Sequence, residues 1–308
     1  MDMSVPSALL QVTEKTDPYR TPDRPEFFFS EQLSAHYDAS CHAIWSRWTP
    51  RPRPSFNPAL LDDLAEFCNF MTGTQATIRW RGEAMPVEYS VLASEVPGVF
   101  NLGGDLSLFV RLIEGQDRAG LLRYGQACVD VLHRNYVGFG LPVTTISLIQ
   151  GECLGGGFEA ALSSDIIIAE RHSRFGFPEI LFNLFPGMGA YSFLDRRVGR
   201  RVTEELLSAG KIYSADDMLA LGVIDCVVDS GRGEAEVAGL AKRNCRSRNG
   251  LAGIARARRR VNGISYQELL DVVHLWVDAA LRLTMRDIKL MHRLVSRQND
   301  RLASTQVH

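Results

Sequence analysis

An α/β fold whose last third is mostly helical is predicted by three features of this sequence. Short β-branched runs, Val143 to Ile149 and Ile166 to Ala169, read as buried strands. They alternate with segments whose apolar residues recur at helical spacing, the pattern of an α/β core. Near the C-terminus an S-x-x-E capping signature, Ser265 with Glu268, opens an apolar stripe of Leu269, Val272, Val273, Trp276, Ala280 and Leu283.

Residues 1 to about 30 hold several prolines and charges without periodicity and are expected to form an extended or poorly ordered arm. An aromatic stretch, Trp45 to Trp48, leads into Pro50, Pro52, Pro54 and Pro58, a rigid connector. Pro58 to Met71 then carries Leu60, Leu61, Leu64, Phe67, Cys68 and Met71 at helical spacing. Thr77 to Arg81 and Val87 to Ala93 read as strands, Leu121 to Tyr136 as a helix, and Val223 to Val228 as a further strand. Two arginine clusters, Arg196/Arg197/Arg200/Arg201 and Arg256/Arg258/Arg259/Arg260, are expected to be solvated faces.

The 308 residues are 45% hydrophobic and 23% charged, a balance that supports a sizeable core. Lys plus Arg total 34 against 36 Asp plus Glu, a net charge of −2, so no basic field favours nucleic acid. The six cysteines contain no C-x-x-C pair, which suggests neither a zinc site nor a disulfide framework. The sequence opens with Asp2 after Met1, without the basic flank and apolar stretch of a secretory signal, and no run is apolar enough for a membrane span. A cytoplasmic protein without cofactor or metal is expected.

The densest stretch is Gly151 to Gly189. It holds Gly155, Gly156 and Gly157, then Glu159, then Pro178 with Glu179, and then Pro186, Gly187 and Gly189. A glycine turn that follows a strand and opens a helix leaves backbone N–H groups pointing outward with partial positive charge. It lacks the spacing and the lysine of a phosphate loop, so a thioester oxygen suits it better. An earlier segment, Phe100 to Leu106, offers Gly103, Gly104 and Asp105 as the source of a second N–H. Two donors on one carbonyl oxygen stabilise an enolate or oxyanion, and losing one costs about 3–4 kcal/mol. Cys153 beside the turn reads as a small buried packing residue.

Glu159 and Glu179 fall on opposite sides of one strand and its return loop. Two neighbouring carboxylates in a cleft repel, share a proton near neutrality, and can act as acid and base in adding or removing water. No G-x-S-x-G elbow accompanies a Ser/His/Asp order, which disfavours a serine nucleophile.

Leu141 to Ala169, reading LPVTTISLIQGECLGGGFEAALSSDIIIA, resembles the signature of the crotonase (enoyl-CoA hydratase/isomerase) family. Phe100 to Asp105 resembles its first oxyanion segment, Phe175 to Gly189 its Pro-Glu and Pro-Gly segment, and Ser208 to Val228 its later helix and strand. The resemblance, in order over roughly residues 75 to 300, implies a crotonase fold: a spiral of ββα units with a C-terminal helical region. It implies a core over 31–240, a trimerisation region over 241–308, and a homotrimer or a dimer of trimers. It also implies an oxyanion hole from Gly104 and Gly156, shaped by Gly103, and a pair of hydratase glutamates at Glu159 and Glu179.

Phe158 before Glu159, Phe177 before Pro178, and the run LFNLFPGMGAYSF from Leu181 to Phe193 depart from ordinary hydratases and resemble diffusible signal factor synthases. That resemblance implies dehydration of a 3-hydroxyacyl group on acyl carrier protein to a cis-2-enoyl thioester, then hydrolysis to a free unsaturated fatty acid. Phe182, Phe185, Met188, Phe193 and Trp276 are candidates for an apolar acyl pocket. Two alternatives are a conventional enoyl-CoA hydratase acting on CoA esters and a crotonase scaffold that regulates a signalling sensor, which the resemblance implies some relatives bind.

Overall fold

A computed structural model describes residues 23–294. Residues 1–22 of the expected arm lie outside the described residues. Its last part is β1 (Glu26–Phe28), which pairs antiparallel with β2 (Leu33–Asp38), and β2 pairs antiparallel with β3 (Ala43–Trp48). In β2 the alternation of Leu33, Ala35 and Tyr37, all buried, with half-buried neighbours sets one face toward the core.

The proline connector leads to α1 (Pro58–Thr74), which Asn57 caps by accepting the Leu60 N–H while Pro58 takes the first helical position. A small hairpin, β4 (Thr77–Trp80) and β5 (Glu83–Pro86), follows. The first strand ends at Trp80 because Arg81 and Gly82 turn the chain with positive φ.

From here the chain repeats one unit: a strand in a large sheet, a strand in a second sheet, then a helix. The first turn is β6 (Tyr89–Ser94), β7 (Gly98–Asn101), α2 (Leu106–Glu114) and α3 (Arg118–Tyr136). The second is β8 (Thr144–Ile149), β9 (Gly151–Leu154) and α4 (Gly156–Leu162). The third is β10 (Ile166–Glu170), β11 (Arg174–Gly176) and α5 (Ala190–Ala209), followed by β12 (Ile212–Ser214), α6 (Ala215–Ala220) and β13 (Cys226–Val228). The large sheet runs β1-β2-β3-β6-β8-β10-β13, parallel from β3 onward, and the second runs β12-β11-β9-β7. Every residue of β8 is buried, which is why its sequence is a β-branched run without polar alternation.

The strand expected over Val223 to Val228 is shorter, because Val223 and Ile224 both donate their N–H to Met218 O and close the end of α6. Helices α7 (Gly233–Asn244), α8 (Arg248–Val261) and α9 (Tyr266–Ala280) follow, and residues 285–294 are helical. Ser265 caps α9 by accepting the Glu268 N–H at 3.0 Å, while the Glu268 carboxylate turns away to Arg196 Nη2 at 2.8 Å.

The arginine clusters are only in part the solvated faces expected of them: Arg200, Arg201, Arg256, Arg258 and Arg260 are exposed, whereas Arg196, Arg197 and Arg259 are half-buried. Helix α8 has no buried residue. Arg258 Nη2 donates to Asp165 Oδ1 at 2.7 Å, Arg259 Nη2 to Asp165 Oδ2, and Asp165 is buried. At the other end of α8, Arg248 Nε lies 3.1 Å from Glu88 Oε2, and its guanidinium sits 4.6 Å above the Tyr89 ring. In α5, Arg197 donates to Ser164 O and Asp225 Oδ2, whereas Arg200 and Arg201 pair on the surface with Glu204 and Glu205 as a solvated face does. Guanidinium forks reach buried acceptors that Lys would not satisfy as well.

Candidate active site

The spiral brings the ends of β7, β9 and β11 together at one cavity, and the two glycine segments meet there. Gly155, with φ +51, turns the chain from β9 into α4 and donates its N–H to Gly176 O at 2.9 Å. Gly156 is then the first residue of α4, where a backbone N–H has no acceptor within the helix.

The second segment lies directly against it. A Cβ on Gly103 would stand 3.0 Å from Gly156 N, and one on Gly156 would stand 3.4 Å from Gly104 N. Gly103, at φ +101, is held by Asn101 Oδ1, which accepts its N–H at 2.8 Å, and by the Phe56 N–H, which donates to its carbonyl at 2.8 Å. Phe56 is fixed in turn by the Tyr124 hydroxyl, which donates to its carbonyl at 2.7 Å. The proline connector therefore braces this turn, with Pro54 O accepting the Leu102 N–H at 2.8 Å. Gly104 and Gly156 both border the cavity.

Glu159 sits one turn into α4 and is 2% exposed. Its Oε1 accepts the N–H of Met188 at 2.8 Å and of Ala190 at 3.0 Å, bonds made possible by the Pro186 to Gly189 turn and the start of α5. Glu179 opens a 3₁₀ turn after β11, so Phe177 and Pro178 set its direction. Its Oε2 is buried and meets no hydrogen-bond donor among the described residues. Burial pushes the Glu159 carboxyl up to about 7 against the pull of its two N–H donors. Burial, and then the Glu159 charge, push Glu179 up to about 8. Both border the same cavity, so the pair carries a proton near neutrality.

The cavity holds about 270 Å³. Of the residues named as candidates for an acyl pocket, Phe182, Met188 and Trp276 border it. Phe185 and Phe193 do not: Phe185 packs half-buried on the core, and the Phe193 ring lies 5.4 Å from Tyr136 beneath Gly189. Sequence reasoning missed the opposite wall, where α1 gives Leu64 and Cys68 and α3 gives Cys128 and Asn135. The helical stripes were visible, but not which of their residues turn to a cavity.

Cys153 is fully buried, and burial drives its thiol well above the usual range, as suits packing. All six cysteines are free thiols. Among the described residues no group of His, Cys, Asp and Glu could hold a metal ion, and no helix is long and apolar enough to cross a membrane.

This geometry can polarise a carbonyl oxygen with two N–H groups and move protons beside it. The enoyl-CoA hydratase/isomerase family model matches residues 81–249, which spans all of these groups. Among solved structures, the chain is similar to DspI of Pseudomonas aeruginosa, at 21% identity over 77% of this chain and 90% of that one, with a TM-score of 0.64. It is also similar to human mitochondrial delta3-delta2-enoyl-CoA isomerase, at 19% identity over 88% of this chain and 99% of that one, with a TM-score of 0.69. Enoyl-CoA hydratase from Bacillus halodurans matches at 20% identity over 84% of this chain and 98% of that one, with a TM-score of 0.68. These likenesses establish the crotonase fold, and the family match extends over more than half of the sequence: the chain belongs to the enoyl-CoA hydratase/isomerase family.

Proposed function

We propose that this protein is a diffusible signal factor synthase: it removes water from a 3-hydroxyacyl thioester and then hydrolyses the thioester to free a cis-2-unsaturated fatty acid. The observation that carries the reading is the pair of buried Glu159 and half-buried Glu179, one tethered by two N–H groups and one with a buried, unpartnered oxygen, beside Gly104 N and Gly156 N.

In the first step the thioester oxygen takes both N–H groups, which acidifies C2. One carboxylate accepts the C2 proton, the C2=C3 bond forms as the C3–O bond breaks, and the protonated partner delivers its proton to the departing hydroxyl, which leaves as water. In the second step a carboxylate takes a proton from water as the water oxygen adds to the thioester carbon. The resulting oxyanion is held by the same N–H pair, the C–S bond breaks, and the thiol leaves protonated. No separate nucleophile is required.

Acyl carrier protein as the acyl donor, and assembly as a homotrimer through residues 241–308, belong to the same reading. A conventional hydratase on CoA esters would use the same groups. Incubating the purified protein with 3-hydroxyacyl chains on carrier protein and on CoA separates the two. Free enoic acid from the carrier-linked substrate supports the synthase, while reversible hydration of CoA esters without acid release supports the hydratase.

A further inference from the structure

We propose that the acyl chain runs inward from Glu159 between α1 and α3, and that Phe139, packed against Phe67, is the end stop that sets its maximum length. This rests on the reading that the cavity takes an acyl thioester.

One face of α3 borders the cavity turn after turn: Tyr124, Cys128, Val131, Leu132 and Asn135. Tyr124 marks the end next to the N–H pair, since a Cβ on Gly104 would stand 3.3 Å from its hydroxyl. From Tyr124 to Asn135 the helix rises about 16 Å, a length suited to an extended alkyl chain. Opposite, α1 presents Leu61, Leu64 and Cys68, and small residues of the large sheet, Ser46 and Ser90, border the space between. The trough is largely apolar, and polar side chains along it are engaged elsewhere: Asn135 Nδ2 donates to Ser163 Oγ at 2.9 Å and Ser164 Oγ at 3.1 Å, Ser163 Oγ to Ala160 O at 2.7 Å, and Ser46 Oγ to Val91 O at 3.2 Å.

Phe139 closes this trough just beyond the end of α3. Its ring is edge-on to Phe67, centroids 6.0 Å apart, and both rings border the cavity. The backbone there is unusual. Phe139 has φ 58°, a left-handed conformation that a bulky side chain rarely adopts, between Gly138 and Gly140, both also at positive φ. The Arg259 guanidinium packs over Gly138 where a side chain would otherwise stand. A strained bulky residue whose ring ends a cavity fits a position kept for the shape of its ligand.

The test uses binding, so that it does not depend on the proposed chemistry. A series of S-alkyl pantetheine thioethers, lengthened two carbons at a time, is titrated against the wild type and against Phe139→Leu, Phe67→Leu and Cys68→Met. The first two variants enlarge the closed end and shift the tightest-binding chain to greater length. The third narrows the trough and shifts it to shorter length. Each methylene gained or refused changes relative affinity by roughly tenfold. Thermal melting identifies any variant that does not fold, and the remaining ones decide. Folded variants that all keep the wild-type length profile overturn the proposal. Absence of any thioether binding by the wild type overturns it together with the acyl-thioester reading, whereas length shifts without acid release in the activity assay sustain the end stop and reject only the proposed chemistry.

Discussion

Glu179 leans on Gly155 so closely that a Cβ at residue 155 would stand 2.5 Å from Glu179 Oε1. The left-handed turn into α4, with φ +51 at Gly155, therefore does two things: it aims the Gly156 N–H, and it leaves room for the second carboxylate.

Gly155→Ala tests that coupling. The methyl displaces Glu179, or the turn reshapes and moves Gly156 N. Either change lowers kcat for dehydration by roughly tenfold or more, because small misplacements at a reacting centre are expensive. Steady-state kinetics with a folded variant checks this, and a kcat equal to wild type argues against the coupling.

The pH–rate profile is expected to be bell-shaped, with limbs near 7 and near 8, since the pair works when singly protonated. Substituting Gln at either glutamate removes the shared proton and collapses the bell. Measuring kcat/KM from roughly pH 5 to pH 10 reveals whether the limbs exist.

The same pair makes a prediction for stability. Both carboxyls titrate above the ordinary glutamate value of 4.5 in the folded chain, so the unfolded chain loses its protons first as pH rises. Stability from the protonated pair is complete below about pH 4.5 and is lost through about pH 8. Glu179→Gln should therefore melt higher than wild type near pH 9, with the difference shrinking toward acid. Calorimetry across that range checks the sign.

Asp165, between α4 and β10, joins β8 to α8 through the Thr145 N–H at 3.0 Å and the two arginines of α8. Removing a buried partner from such a cluster costs about 3–5 kcal/mol. Asp165→Ala is expected to lose that amount in urea unfolding. A variant within experimental error of wild type contradicts the view that arginines, not apolar packing, hold α8 on the core.

That cluster also marks where the sequence stopped being informative. Runs such as Val143 to Ile149 announced β8 because a parallel strand buried on both faces needs apolar residues throughout. The stripes of α1, α3 and α9 were visible for the same reason, as was the glycine turn before Glu159. Strands of three or four residues such as β7, β9 and β11 carry too few side chains to show a period. Arg258 and Arg259 looked like a solvated run because their acceptor, Asp165, is distant in the chain and comes near only through the spiral. Phe185 and Phe193 share the composition of Phe182, yet backbone direction alone decides which ring meets the cavity. The Phe139 end wall was equally hidden, since no residue pattern announces a left-handed phenylalanine.

Glu159 and Glu179 are expected to work as one proton-sharing pair over a polarised thioester. Mass spectrometry of free acids released from a 3-hydroxyacyl carrier thioester, by wild type, Glu159→Gln, Glu179→Gln and the double variant, checks this. Each single variant is expected to fall by roughly 10²–10⁴-fold, and the double variant no further than the worse single one, as befits groups acting as a unit. Enoic acid formed at the wild-type rate by either folded single variant would contradict it.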